Sequence, residues 1–363
     1  MRAAVPTHQP PAAPVADGAR PAGRTLGRDD WSVELIDPLA DGRWEAFVGH
    51  APDARVFHHR SWLALLRRVY GFPIVACCVV DRSGAIRGGA PLALVSGTFR
   101  RPRLACLPLS DRCVPLPEPD DDPAMAERVL WAVDELRRKI RVRAELRGQA
   151  ARHPSARVAA RYYAHDICLQ PDVDRILARA RSEALAAARK AGEAMAVERR
   201  TDAAALAEFV ALREATRSRG EAPPPPRRLI LELAYLFDRG LGFVLLARDD
   251  LGLAGAAIFL TFNQTLRRLY DAAWPSTATD ARHLLMLEGI RWGCAAGMQT
   301  LDLGCTTFER DDVSEFNRSW GAEERVLEFT ALDGGSPAPV SSATEWVARL
   351  ARPLGARPPR CMS

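Results

Sequence analysis

The stretch that most constrains the fold is residues 299–324, QTLDLGCTTFERDDVSEFNRSWGAEE. Its first residues predict a short buried strand over Thr300–Leu303, then a glycine turn at Gly304 and a polar loop. A short helix is expected next, with Asp311 and Asp312 at its start, where carboxylates accept hydrogen bonds from free N–H groups and favour the positive end of the helix dipole. The stretch therefore predicts a strand, a loop and a helix in close succession.

Three apolar residues of this helix, Val313, Phe316 and Trp320, occur at positions i, i+3 and i+7 and so share one face. Asn317 and Arg318 lie beside that stripe, where a loop-borne site could use them. Asp302 stands between apolar neighbours at the end of the preceding strand. Its carboxylate either polarises a substrate amine or binds a hydroxyl, or it caps the glycine turn.

The rest of the chain alternates strands and helices. The second part shows a helix, a second helix, three successive strands (GFVLLAR, LAGAAIFLTF and LRRLYDAAW), a helix, a strand, a helix and a last strand. Neighbours that look antiparallel argue against a purely parallel sheet. The pattern predicts an α/β (α+β) fold with mixed, mostly antiparallel sheets flanked by helices.

A chain of 363 residues is too long for one ordinary core, so two domains are expected. Residues 1–30 are rich in Ala, Pro, Gly and Arg and predict a disordered tail. The first domain is expected over 31–170 and the second over 171–331, with a last strand that can return to the first domain. Residues 332–363 predict a tail with a short basic helix, which either rests on a membrane or partner or is a docked or frayed terminus.

The cysteine content and the charge limit the cofactors and partners that can be expected. Eight cysteines form no C-x-x-C pair and no metal-like spacing with histidine, which favours a reduced, cytoplasmic protein without a metal. The net charge is +5, and Lys139 and Lys190 are the only lysines. Arginine suits phosphate binding, so nucleotides, CoA or tRNA are candidate partners, whereas a compositional bias explains any single arginine equally well. DNA is not expected as a partner.

Five segments in order resemble one family. They are FHHRSWLALLRRVYG, LPLSD, ALREATRSRGEAPPP, LYDAAW and the stretch 299–324, which together span about Phe57 to Phe329. They resemble the FemAB-like branch of the GNAT-like acyltransferases. The resemblance implies two tandem GNAT-like domains that transfer an acyl or aminoacyl group to an amine of a cell-envelope, polysaccharide or small-metabolite acceptor. It also suggests contact with the inner face of the membrane.

The resemblance implies acyl-CoA (acetyl-CoA) or aminoacyl-tRNA as co-substrate. No Ser-His-Asp or Cys-His arrangement is apparent, so direct attack by the amine is expected rather than a covalent enzyme intermediate. The alternative is a catalytically reduced double-GNAT protein that binds a ligand or acts as a scaffold of an envelope polysaccharide system. A thermal-shift screen with donors separates the two.

In GNAT sheets, splayed central strands expose N–H groups that hold the acyl carbonyl and the pantetheine arm. By this resemblance the splayed strands would be Leu253–Phe262 and Leu266–Trp274, and a helix N-terminus at Ala281–His283 would meet phosphate. The glycine-rich loop of acetyl-CoA enzymes is missing, and STATDARH stands in its place. This departure weakens the expectation of a CoA donor.

The candidate catalytic residues are Asp302 and Asn317. Many relatives carry lysine at the position of Asn317, and an amide offers a neutral hydrogen bond where lysine offers a charge, so a different or reduced activity is expected. The candidate substrate-binding residues are Tyr270, Asp271, Trp274, His283, Gly304, Phe316, Arg318, Trp320, Arg217, Arg219, Ser110 and Asp111. Most have a structural alternative: packing for the aromatic residues, a solvated helix end for Arg217 and Arg219, solvent exposure for His283, and helix capping for Ser110 and Asp111.

Overall fold

The computed structural model describes residues 31–97, 100–117, 121–148, 153–216, 226–275 and 278–333. The strands in these ranges are β1 (Trp31–Ile36), β2 (Ile74–Asp81), β3 (Ile86–Gly97), β4 (Arg100–Ala105), β5 (Arg143–Arg147), β6 (Ala156–Cys168), β7 (Ala196–Arg200), β8 (Gly242–Asp249), β9 (Gly252–Phe262), β10 (Thr265–Ala273), β11 (Thr300–Thr306) and β12 (Glu323–Leu332). The α-helices are α1 (Gly42–His50), α2 (Arg60–Tyr70), α3 (Pro123–Ile140), α4 (Val173–Leu177), α5 (Ser182–Ala194), α6 (Ala203–Thr216), α7 (Arg227–Glu232), α8 (Ala234–Phe237), α9 (Ala278–Ala295) and α10 (Asp311–Ser319).

The strands form one sheet in the order β1-β2-β3-β4-β5-β12-β6-β11-β10-β9-β8-β7. We call β1–β5 with β12 the first half and β6–β11 the second half. The two halves repeat the same pairing pattern: three antiparallel pairs, one short parallel pair (β4 with β5, β10 with β11) and one more antiparallel pair. The predicted fold class, a mixed and mostly antiparallel α/β architecture, is confirmed.

The two halves exchange their last strands. β12 lies between β5 and β6, and β6 pairs with β11. β6 is therefore part of the second half by pairing, although its residues fall inside the 31–170 unit expected from the sequence. The central β6–β12 pair runs antiparallel from Asp166–Glu323 to Ala156–Leu332 and makes the sheet continuous. The domain limits themselves stay a prediction.

Helices bury both faces of the sheet in the second half. α6, α7 and α8 contribute to the hydrophobic core on one face of the sheet, and this core is continuous with that of the first half. We call this face the groove face. α5 and α9 pack on the other face, the helix-pair face, with Trp320 in their core. In the part of the chain that the structure describes, no helix is both long and apolar enough to span a membrane.

The stretch 299–324 folds as a strand, loop and helix, with two corrections. Gly304, with φ of +89°, lies at a bulge inside β11 and not in the predicted turn, because the pairing with β6 skips only Leu303 and resumes at Gly304 itself. Asp311 and Asp312 lie in the first turn of α10, as predicted, and hydrogen bonds from Arg310 and from the Val313 N–H lower the pKa of the Asp312 carboxyl, but neither residue is the N-cap. Arg310 is the N-cap of α10 and makes no side-chain cap, while Asp312 pairs with Arg310 and Asp311 pairs with Arg318. Arginine side chains within reach compete for both carboxylates.

Candidate functional site

The sheet opens between β10 and β11. These parallel strands pair only at Thr265–Thr300, Leu266–Leu301 and Arg267–Asp302, although β10 continues to Ala273 and β11 to Thr306. The predicted splay of β9 from β10 is wrong, because those strands pair along their whole length from Thr265–Phe262 to Ala273–Gly255. We call the gap beyond the Arg267–Asp302 pair the opening.

Asp302 lies at the apex of the opening and is 1% exposed. One oxygen, Oδ1, accepts hydrogen bonds from Arg267 Nη1 at 2.7 Å and from the Gly304 N–H at 2.9 Å. Arg112 Nη1 lies 3.1 Å from the same oxygen. Burial alone would raise the pKa of this carboxyl, but Arg112 and Arg267 outweigh burial and hold the pKa well below its usual range. Asp302 is therefore an ionised, fully engaged carboxylate.

Asp111 reaches the same point from the loop that follows β4. Its Oδ2 accepts from Arg267 Nη2 at 2.8 Å and from the Cys305 N–H at 3.1 Å. Arg112 also pairs with Asp166 of β6. We call Asp111, Arg112, Asp166, Arg267 and Asp302 the central charge cluster. It joins the loop of the first half to three strands of the second half, and it brings two predicted site residues, Asp111 and Asp302, together.

Ser110 and Gly304 help to fix the positions of Asp111 and Arg267 in this cluster. Ser110 is buried, accepts a hydrogen bond from Trp62 Nε1 at 2.7 Å and donates to the Pro108 carbonyl at 3.0 Å, which fixes the loop beside Asp111. A Cβ at Gly304 would lie 2.6 Å from both terminal nitrogens of Arg267. Glycine is needed here because the guanidinium packs directly against the backbone.

Tyr270 lies on the groove face of β10, in the part of the strand that has left β11. Burial raises the pKa of its phenol, and Tyr70 and Asp111 raise it further. The phenol is therefore neutral across the physiological range and can donate a hydrogen bond. Buried polar atoms without a hydrogen-bond partner lie on the residues around it, on Tyr70 Oη and Arg267 Nε.

On the helix-pair face, α9 and α10 meet through aromatic residues. Trp320 Nε1 donates to His283 Nδ1 at 3.0 Å, and the His283 ring lies 4.9 Å from Phe316 between ring centroids. Burial lowers the pKa of His283, which keeps the ring neutral and Nδ1 available as an acceptor. The predicted helix start at Ala281–His283 is wrong, because α9 begins at Ala278. Trp320 is fully buried in the core, in agreement with the packing role given above as the alternative for the aromatic residues.

Asp271 is held by two arginines on this face. Arg268 Nη2 lies 3.0 Å from Oδ1, and Arg282 Nε donates to Oδ2 at 2.7 Å. Burial raises the pKa of Asp271, but Arg268 and Arg282 outweigh it and lower the pKa. The Arg268 guanidinium lies 5.3 Å from the Phe316 ring centroid. Side chains of the chain itself thus occupy the space between β10 and α10.

Asn317 is 1% exposed, and neither atom of its amide has a hydrogen-bond partner. Its neighbour Arg318 is better satisfied, because Nη1 pairs with Glu324 at 3.1 Å. Glu324 also lies 3.0 Å from His165 Nε2, while His165 Nδ1 is buried without a partner. Buried amides are normally hydrogen-bonded, so the unused donors and acceptors of Asn317 and His165 are a candidate binding feature.

The remaining predicted residues lie apart or cannot be placed. Trp274 follows β10 and is 42% exposed, beyond the buried part of the opening. Arg217 and Arg219 lie outside the described residues. Within the described ranges, no group of three or more His, Cys, Asp or Glu side chains could hold a metal ion.

Sequence reasoning missed Arg267, Arg112 and His165. Arg267 carried a weaker signal than Asp302, because it is followed by Arg268 and not by an apolar residue, yet the two form the last pair before the opening. His165 and Glu324 belong to β6 and β12, which pair only through the strand exchange. Their 159-residue separation leaves no local pattern in the sequence.

Comparison with known proteins supports the family expectation. Residues 178–312 match the acetyltransferase (GNAT) domain family. These residues include β7–β11 and the opening. A comparison with curated proteins gives no match. The predicted resemblance to GNAT-like acyltransferases is confirmed by this domain, which supports an acyltransferase.

Solved structures show the same fold at low identity. The crystal structure of FemX superposes with a TM-score of 0.60 and 11% identity, covering 81% of this chain and 96% of FemX. L-PGS from Bacillus licheniformis gives a TM-score of 0.50 and 12% identity, covering 87% of this chain and 96% of that one. At such identities the likeness establishes the fold alone. It extends over both halves, beyond the segment that the domain family matches.

Proposed function

We propose that this protein is an N-acyltransferase whose reaction takes place at the opening between β10 and β11. The observation that carries the proposal is the parting of these strands beyond Arg267–Asp302, inside the segment that matches the acetyltransferase domain. Strand edges that part leave backbone N–H and C=O groups without strand partners. An extended acyl donor can use such groups, and the opening gives it access to an acceptor on the other face.

The chemistry assigns a role to each face. On the groove face, neutral Tyr270 donates a hydrogen bond to the leaving group, which takes up the proton that the amine loses on attack. On the helix-pair face, the Asn317 amide has a free donor for the oxygen that becomes negative during attack. Asp302 holds Arg267 and Arg112 in place and so acts as a positioning residue.

The donor and acceptor are part of the same proposal. FemX and L-PGS have this fold, and we propose an amine of an envelope, polysaccharide or small-metabolite precursor as acceptor. We favour an aminoacyl-tRNA donor over acyl-CoA, because the glycine-rich loop of acetyl-CoA enzymes is missing. We propose the cytoplasm as the place of the reaction, where a membrane-bound precursor would be met at the inner face of the membrane.

A pair of tyrosine variants tests the site. Tyr270→Phe removes only the phenolic oxygen, and we expect transfer with aminoacyl-tRNA or acetyl-CoA to fall by at least about tenfold at an unchanged melting temperature. The matched control is Tyr235→Phe, since Tyr235 stacks with Arg239 on the surface side of α8. Equal turnover in both variants would remove Tyr270 from the mechanism.

A variant of Asn317 tests the other face. Asn317→Leu has similar volume and removes two buried polar atoms that have no partner, so folding stability should hold or rise. Transfer should nevertheless fall by at least about tenfold, because the oxyanion loses its donor. Undiminished transfer contradicts the assigned role.

A second candidate function is ligand binding without transfer. It is favoured by the N–H groups of Gly304 and Cys305, which donate to Asp302 and Asp111 in this structure instead of being free to hold the carbonyl of an acyl donor. A thermal-shift screen against acyl-CoAs and aminoacyl-tRNA, followed by a turnover assay, separates the two. A donor that raises the melting temperature and is consumed supports the enzyme, and one that binds without turnover supports the alternative.

A further inference from the structure

We propose that Arg267 and the Cys305 N–H form a binding site for a carboxylate or phosphate group, and that the chain fills this site with the side chain of Asp111 when no substrate is bound. The substrate's anionic group replaces the Asp111 carboxylate at Arg267. This inference rests on the proposed function for its biological meaning, but the anion site can be measured without any acyl transfer.

Among the described residues, Arg267 has hydrogen-bond partners for two of its three nitrogens. Nη1 is used by Asp302, and Nη2 donates to Asp111 Oδ2. Nε is buried and has no partner. Nε and Nη2 form one edge of the planar guanidinium, and that edge matches the two oxygens of a carboxylate or phosphate. Asp111 occupies only the Nη2 side of the edge.

The Cys305 N–H adds a third donor on the same side. It donates to the same Asp111 oxygen as Arg267 Nη2, at 3.1 Å and 2.8 Å respectively. A backbone N–H and a cation that converge on one oxygen make an anion site, here built from β10 and β11 at the start of the opening. A ligand that used Nε as well would satisfy a donor that Asp111 leaves unpaired, and an unpaired buried donor is costly.

Charge and exposure favour a ligand of the same charge as the group it replaces. Three guanidinium groups act on the Asp302 carboxyl, those of Arg112, Arg267 and Arg55. When a substrate carboxylate replaces the Asp111 carboxylate, the number of negative charges that face these guanidinium groups stays the same. Asp111 is also more accessible than the arginine it pairs with, because its side chain is 25% exposed while that of Arg267 is 8% exposed.

The exchange needs only a side-chain rotation. The backbone around Asp111 is fixed by Ser110, which accepts from Trp62, and by Arg112, which pairs with Asp166 and Asp302. Rotation of the Asp111 side chain toward solvent therefore frees the site without moving the loop. The substrate class that follows is one with a carboxylate or phosphate close to the reacting group, near Tyr270.

The test is direct anion binding to Asp111→Asn. The neutral amide keeps the shape of the side chain but competes less strongly for Arg267, since hydrogen bonds with a charged acceptor are about twice as strong as neutral ones. Titration calorimetry with sodium phosphate and with sodium acetate, at constant ionic strength, should show binding about tenfold tighter to Asp111→Asn than to the wild type. Asp250→Asn, in the exposed turn between β8 and β9, is the matched control and should bind as the wild type does.

The outcomes separate the anion site from the proposed function. If Asp111→Asn binds acetate more tightly than the wild type, the substrate group is a carboxylate, and if it binds phosphate more tightly, the group is a phosphate. The double variant Asp111→Asn with Arg267→Lys should lose this increase in affinity, which would confirm that the anion binds at Arg267. Equal affinity of wild type and Asp111→Asn for both anions overturns the anion site, even if the protein transfers acyl groups. Tighter anion binding in a protein that transfers nothing supports the anion site and refutes the proposed function.

Discussion

Replacing Asp302 with asparagine should destabilise the fold by about 3 kcal/mol. Breaking a buried ion pair costs about 3–5 kcal/mol, because the partner charge stays buried. The structure points to the lower end of that range, since Arg267 keeps Asp111 and Arg112 keeps Asp166 as second partners. The new amide oxygen can also still accept from the Gly304 N–H. Urea unfolding followed by circular dichroism measures the difference in free energy of unfolding.

A surface pair provides the control for this experiment. Asp312→Asn removes an exposed carboxylate that pairs with Arg310 at 2.9 Å, and exposed pairs contribute less than about 1 kcal/mol. We expect Asp302→Asn to lose clearly more stability than Asp312→Asn. Equal losses in the two variants would show that the charge cluster does not hold the halves together, and the positioning role of Asp302 would then fail.

The pH dependence checks the same reasoning independently. The pKa of Asp302 is lowered in the folded protein, so its contribution is fully present above the unfolded value of about 3.9. As pH falls below that value toward the lower folded pKa, the unfolded state takes up a proton first and the contribution declines. The stability gap between wild type and Asp302→Asn should therefore be constant above about pH 5 and narrow in stronger acid.

Two further substitutions test the packing around the site. Gly304→Ala should cost at least about 2 kcal/mol and more than Gly252→Ala, because both positions have positive φ but only the Cβ at Gly304 meets a guanidinium; urea unfolding of both variants decides this. His283→Leu leaves Trp320 Nε1 without an acceptor and should cost about 1–3 kcal/mol near neutral pH. Because the folded pKa of His283 is lowered, the wild type loses this contribution as pH falls below about 6.5, so its gap to His283→Leu should narrow in thermal melts at lower pH.

The fold could be predicted from the sequence because its elements are local. The meander β8–β10, the helix α9 and the strand β11 each show their own hydrophobic period and turn residues, and the structure contains all of them. The bulge at Gly304 could not be predicted, because a glycine with positive φ suits a turn and a bulge equally. Pairing with β6, which is distant in sequence, decides between the two.

The candidate site was predictable only in part, for the same physical reason. Asp302 and Asn317 are conspicuous within their own segments, and both are buried in the structure. The partners of the Asp302 side chain come from the loop after β4, which carries Arg112, and from β10, which carries Arg267. Contacts made by strand exchange depend on tertiary pairing, which no spacing rule within one segment reports.

Strand exchange also explains why both halves contribute residues to the central charge cluster. Arg112 comes from the first half and is buried against carboxylates of the second, while Arg267 of the second half pairs with Asp111 of the first. Separating the halves would leave two buried guanidinium groups short of a partner, and that penalty favours a rigid joint over hinge motion. The same joint forms the apex of the opening, so substitutions at Asp302 or Arg267 should change stability and transfer together. Tyr270→Phe, which breaks no ion pair, should change transfer alone, and this contrast separates the groups that hold the site from the groups that react in it.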